Sequence, residues 1–179
     1  GIPGFKLEKP VVMRRIEQLE QSGVRFEMNC DVDADIFTAI RAEHDAVIIA
    51  TGVYKSRDLK APNAESEGIE KAIEFLTASN RKSFGDEVPE FDDGRLDASG
   101  KKVVVIGGGD TAMDCVRTSI RQGATSVKCL YRRDRANMPG SQREVQNAEE
   151  EGVVFEWLSA PKGFTTDDAG RVNGVMTQK

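Results

Sequence analysis

Apolar and polar positions follow two different periods along this chain, and the sharpest change of period falls at residues 102–112. Val103-Val104-Val105-Ile106 is an uninterrupted apolar run that stops at Gly107-Gly108-Gly109, and helical spacing begins at Asp110. The pattern predicts a buried strand over Lys102–Ile106 turning tightly into a helix over Asp110–Gln122. Gly123 stops that helix and Ser126–Tyr131 reads as the next strand, so the whole is a compact β-α-β unit. Ser141 with Glu144 three residues later carries a capping-box signature for a helix ending near Gly152, and Val153–Leu158 is a further apolar strand. Between Lys162 and Thr177 a turn at Asp167-Asp168-Ala169-Gly170 separates two candidate strands and predicts an antiparallel hairpin.

The first half of the chain has a less regular rhythm. Pro10 opens a helical pattern with Val12, Ile16 and Leu19 on one face, and Gly23 is placed to end it with a left-handed cap. Val24, Phe26, Met28 and Cys30 alternate with polar residues, the period of a half-buried strand. Asp33 or Asp35 is placed to cap a short helix carrying Ile36, Phe37 and Ile40. Ala46–Ala50 is an apolar run suited to a central strand and stops at Thr51-Gly52. Val53 to Glu67 is polar and loop-like, with Lys55, Arg57 and Lys60, and a helix is expected over Ile69–Ser79. Arg81 to Gly100 is rich in Gly, Asp, Glu and Ser with isolated apolar residues, the composition of a linker or excursion between two units.

Composition narrows the class. The 179 residues suffice for a real core, and 39% hydrophobic against 31% charged residues is ordinary for a soluble globular protein. No apolar run approaches the about 18 residues of a membrane span and no signal sequence opens the chain, so a cytoplasmic protein is expected. The three cysteines, Cys30, Cys115 and Cys129, lie far apart and do not describe a disulfide framework or a metal site. A net charge of −5 argues against a nucleic-acid binder, so any anion site must be local. His44 stands alone, without a nucleophile or second ligand, and reads as structural. The opening Gly1-Ile2-Pro3-Gly4-Phe5, without a methionine, reads as the interior of a longer protein.

The glycine stretch has the spacing G-x-G-x-x-A at Gly107, Gly109 and Ala112, with Gly108, Asp110 and Thr111 between. Gly107 permits the tight turn, Gly109 lets backbone approach a pyrophosphate, and Ala112 keeps helix and strand close. The helix start presents unpaired N–H groups and a partial positive charge. A glycine turn that binds nothing is the plainer alternative. The second strand ends at Tyr131-Arg132-Arg133-Asp134-Arg135, where a dinucleotide site meets the adenosine ribose. Guanidinium there pairs with a 2′-phosphate, whereas an acidic residue would take a free 2′-hydroxyl, so Arg132 and Arg133 favour NADPH over NADH. The plainer alternative is a solvated charge cluster with Asp134 neutralising its neighbours.

Several stretches together resemble the small (β) subunits of NADPH-dependent glutamate synthase, with related modules in dihydropyrimidine dehydrogenase and other iron-sulfur flavoprotein reductases. They are Gly1–Leu7, His44–Gly52, Gly107–Asp114, Tyr131-Arg132-Arg133, Met138-Pro139-Gly140 and Glu149–Val153, in order along nearly the whole chain. The wider group is that of pyridine nucleotide-disulfide oxidoreductase-like flavoproteins. The resemblance implies an α/β protein in which a Rossmann-like parallel sheet with flanking helices and an antiparallel hairpin binds NADPH beside a partial FAD-binding α/β domain. The expected division is a partial FAD-binding domain over 1–80, a linker or excursion over 81–100, and a C-terminally truncated NADP(H)-binding domain over 101–179.

By the same resemblance Ala50, Thr51 and Gly52 lie near FAD, and Gly107–Ala112 with Arg132 and Arg133 form the NADPH site. Hydride passes from NADPH to FAD, and electrons leave through iron-sulfur clusters to a large subunit, or an equivalent acceptor protein, for glutamate synthesis. The family's FAD fingerprint and its cluster cysteines are missing from this stretch, so the segment alone is expected to be inactive and the reaction belongs to the longer protein. Two alternatives remain: a non-catalytic NADP(H)-sensing or interaction module, and the equivalent segment of a pyrimidine- or ferredoxin-reducing enzyme.

Overall fold

In the computed structural model, which describes residues 1–52 and 58–179, the chain divides into two compact units. One comprises Gly1–Leu7 with Arg57–Lys179, and the other Glu8–Ser56. The polar stretch 53–57, with Lys55 and Arg57, lies outside the described residues.

The smaller unit holds two helices. Helix α1, Lys9–Gln21, has Pro10 in its first turn, and Val12, Ile16 and Leu19 are its half-buried apolar positions, as the helical spacing predicts. It ends in a Schellman motif at Gly23, whose φ of 97° only glycine adopts easily; the Gly23 N–H bonds to Glu20 O and the Val24 N–H to Leu19 O. Helix α2, Ala34–Glu43, is capped by Asp33, whose carboxylate accepts from the Asp35 and Ile36 N–H groups.

The two strands expected in this unit, over Val24–Cys30 and Ala46–Ala50, are not formed. Ile48 and Ile49 are 89% and 72% exposed. A strand is stable only when a neighbour takes its N–H and C=O groups, and among the described residues none pairs with either run.

The larger unit contains helix α3, Ala72–Ser83, three residues later than expected, and a short helix α4, Pro89–Asp92. The apolar residues of 81–100, read as isolated, are gathered: Val88, Leu96 and Ala78 of α3 form a small core with Phe91 packed against it.

Strand β1, Lys102–Ile106, then leads through the glycine turn into helix α5, Asp110–Arg121. Strand β2, Ser126–Leu130, pairs parallel with β1, and after helix α6, Gln142–Glu150, strand β3, Val154–Glu156, pairs parallel with β2. Met113 and Val116 of α5, Val127 and Cys129 of β2, and Val145 and Ala148 of α6 are fully or almost fully buried in one core. Each such aliphatic side chain of Val size or larger stabilises the fold by about 1.5–3 kcal/mol. Strands β4, Ala160–Thr166, and β5, Val172–Gln178, form the expected antiparallel hairpin, in which the Asp167 carboxylate accepts from the Ala169 and Arg171 N–H groups at the turn. The result is the mixed α/β architecture the sequence implies, a parallel sheet with flanking helices and an appended hairpin.

Candidate functional site

The end of β1 and the start of α5 frame the glycine turn. The Gly107 N–H bonds to Leu130 O and so extends the β1–β2 ladder by one residue, and the Cys129 thiol beneath donates to Gly107 O at 3.3 Å. Gly107 has a φ of 149°, and a Cβ there would stand 3.5 Å from that of Ala112, so Ala112 is small because the turn folds back onto it. Gly109 is the N-cap of α5, with no side chain capping the helix. A Cβ at Gly109 would meet nothing within 4 Å, and its φ of −92° is open to any residue. The protein's own packing therefore gives no reason for glycine at 109.

Gly108 is glycine for another reason. A Cβ there would fall 2.5 Å from Cδ2 of Tyr131, whose ring fills that space. The sequence pattern treats position 108 as free, and only the tertiary contact reveals the constraint. The Gly140 N–H donates to Gly108 O at 2.9 Å, and a Cβ at Gly140 would lie 3.0 Å from the same oxygen. Met138-Pro139-Gly140 is thus packed against the back of the turn.

The strand-end arginines divide by environment. Arg135 is held by Glu149 at 2.8 Å. Arg132 and Arg133 are exposed, and neither guanidinium has an ion-pair or hydrogen-bond partner among the described residues. Asp134 does not neutralise them. Its carboxylate accepts from the N–H and the side-chain amide of Asn137, bonds that hold its pKa below the usual carboxylate value. Two exposed arginines without an ion pair among the described residues thus lie in the same unit as the uncapped helix start.

Ala50, Thr51 and Gly52 belong to the smaller unit, where all three are exposed and lie in no strand. His44 places Nδ1 2.9 Å from Ile40 O, a local contact at the end of α2.

One cluster escaped the sequence reading. Glu144 does not close a capping box with Ser141, whose side chain makes no cap bond. Glu144 instead pairs with Arg117 at 2.7 Å and Lys6 at 3.3 Å. Lys6 also meets Asp114 at 2.8 Å, Arg117 and Arg121 share Glu151 at 2.7 Å each, and both guanidiniums stack over Phe5. Burial works against charge on Glu144, but the Arg117 hydrogen bond and the Lys6 and Arg117 charges outweigh it and hold its pKa low. The spacing of Asp114, Arg117 and Arg121 on one face of α5 was the available signal; their partners lie too far away in sequence to be read.

The family model described as pyridine nucleotide-disulphide oxidoreductase matches residues 16–179. The chain belongs to the pyridine nucleotide-disulphide oxidoreductase family. Within it, the chain is 73% identical, over its whole length, to a protein of Cereibacter sphaeroides provisionally named a glutamate synthase NADPH small chain. It is 61% identical, over 98% of its length, to the glutamate synthase NADPH small chain of Azospirillum brasilense. The chain spans 42% and 36% of the lengths of these two relatives. Among solved structures, FprA from Mycobacterium tuberculosis superposes over 98% of this chain and 56% of its own, with a TM-score of 0.66 at 18% identity, a likeness of fold. Among the described residues no helix is long and apolar enough to cross a membrane.

Proposed function

We propose that this chain is the NADPH-binding portion of a glutamate synthase small-chain-type flavoprotein oxidoreductase. The observation that carries the reading is Gly109, a glycine that neither backbone strain nor packing requires, at the uncapped start of α5 and in one unit with two unpaired arginines. Gly107–Ala112, including Asp110 and Thr111, would cradle the pyrophosphate through backbone N–H groups and the helix dipole. Arg132 and Arg133 would hold the 2′-phosphate through charge-assisted, bidentate hydrogen bonds, which select NADPH over NADH.

NADPH, when bound, supplies a hydride for transfer to a flavin. The residues of this chain bind and orient the nucleotide, and none is assigned a proton-transfer role. Ala50, Thr51 and Gly52 are read as one edge of an FAD site. Exposed and outside any strand, they do not by themselves form a cradle for FAD. Passage of electrons to a large subunit or equivalent acceptor, and glutamate synthesis, belong to the longer protein. Membership in an oxidoreductase family favours this reading over a non-catalytic sensing module. The expected domain division, FAD-binding residues in 1–80 and NADP(H)-binding residues in 101–179, belongs to the same proposal.

Calorimetric titration of NADP⁺ into the chain and its Gly109→Val variant tests it. Valine fits the extended backbone at 109 and stands where the pyrophosphate would lie, so affinity should fall at least about tenfold with thermal stability retained. Unchanged affinity would remove the glycine turn from the site.

A further inference from the structure

The loop that begins with the free arginines ends at the glycine turn. Residues 132–141 leave β2 beside Tyr131 and return to α5. The near end is braced by the Tyr131 hydroxyl, which donates to Asn137 O at 3.0 Å, and by Asp134, which takes the Asn137 N–H at 2.9 Å. The far end is fastened twice. The Gly140 N–H donates to Gly108 O, and the Ser141 N–H donates to Asp110 Oδ1 at 3.1 Å. In a capping box Glu144 would accept the Ser141 N–H, but Glu144 is committed to Arg117 and Lys6, so the acceptor comes from a residue 31 positions earlier.

Asp110, in the first turn of α5, suits the helix dipole by itself, but its charge bears differently on an anion site. It sits at the first helical position of α5, where a carboxylate adds negative charge beside the proposed anion cradle, an arrangement that by Coulomb's law opposes nucleotide binding. Its one side-chain hydrogen bond among the described residues is the tie to Ser141. That tie joins the two halves of the proposed site, the turn for the pyrophosphate and the loop carrying Arg132 and Arg133.

Resting on the NADP(H) reading, we propose that Asp110 is a positioning residue for cofactor selectivity: by accepting the Ser141 N–H it fixes the arginine loop at one spacing from the pyrophosphate cradle, so that a 2′-phosphate meets both guanidiniums. The Asp110 carboxylate, unlike its backbone N–H, touches the nucleotide through no bond of its own. A nucleotide without the 2′-phosphate gains nothing from the spacing. Removing the Asp110 carboxylate while its backbone N–H stays in the turn therefore lowers affinity for NADP⁺ more than for NAD⁺, and the NADP⁺ to NAD⁺ ratio falls.

The test is calorimetric binding of NADP⁺, NAD⁺ and 2′,5′-ADP to the 179-residue chain. Asp110→Ala should cut the NADP⁺ to NAD⁺ affinity ratio at least fivefold. Asp110→Asn keeps an acceptor oxygen and should restore most of the ratio. Ser141→Pro removes the donor instead; the φ of −55° at Ser141 suits proline and its side chain makes no cap bond, so this variant carries the test if Asp110→Ala does not fold. An unchanged ratio in Asp110→Ala or Ser141→Pro, or equal losses for both nucleotides, overturns the proposal. Arg132→Ala with Arg133→Ala separates the two levels. If that variant loses selectivity while Asp110→Ala keeps it, only the positioning role fails; if the wild type shows no selectivity, the NADP(H) reading fails first.

Discussion

The ring of Tyr131 stands where a side chain at Gly108 would be, while the neighbouring Gly109 faces open space. Gly108 is thus glycine for the fold, whereas no contact within the described residues requires glycine at 109. Gly108→Ala should displace the ring and its hydroxyl bond to Asn137 O and cost about 1–3 kcal/mol. Gly109→Ala should stay within about 1 kcal/mol of wild type, since a small loss at the N-cap is offset by reduced freedom of the unfolded chain. Urea denaturation of the two variants checks this, and equal destabilisation would remove the distinction.

The ion network around Arg117 predicts a pH dependence. Glu144 has a folded pKa below its ordinary 4.5, so its contribution is present above that value and is lost as pH falls through the folded pKa. For Lys6, burial lowers the pKa but the bond to Asp114 and the acidic charges outweigh it, so the net shift is upward from 10.5. Its contribution is present below 10.5 and lost as pH rises through the folded value. Stability should fall at both extremes, and the acid limb should be shallower in Glu144→Gln. Arg117→Met leaves the half-buried Glu144 and Glu151 with only Lys6 and Arg121 and should cost about 1–3 kcal/mol at neutral pH. Denaturant midpoints across the pH range read both effects.

The cysteines should separate cleanly. Burial pushes the Cys115 and Cys129 thiols up to about 12, whereas Cys30 is exposed. A thiol-disulfide reagent at neutral pH should label one cysteine in the folded chain and all three after denaturation, because the thiolate is the reactive form. Rapid labelling of two or more would contradict the packing of α5 on the sheet.

What could be read from sequence was what is local. The turn at 107–112, the caps at Gly23 and Asp33, and the hairpin turn at Asp167 each depend on residues within one or two turns, and each stands as the spacing implies. Some readings that depended on distant partners failed. Ala46–Ala50 has the composition of a central strand, but composition supplies no neighbour to pair with. Ser141 and Glu144 have capping-box spacing, but Arg117 and Lys6 outcompete the local bond and Asp110 fills the vacancy. The constraint on Gly108 arises from an aromatic ring 23 positions later. In the candidate site, the residue types were legible; which arginine is neutralised was not, because Glu149 and Asn137 decide it from the loop's folded shape.

Arg132 and Arg133 are proposed to read the 2′-phosphate of a dinucleotide seated on the Gly107–Ala112 turn. Calorimetric titration of NADP⁺ and NAD⁺ into the wild type and into Arg132→Ala with Arg133→Ala addresses this directly. Each charge-assisted hydrogen bond lost costs about 1.5–3 kcal/mol, so the double variant should lose at least about tenfold in NADP⁺ affinity while NAD⁺ binding is preserved. Equal affinities for the two nucleotides in the wild type, unaltered by the substitutions, would contradict the account.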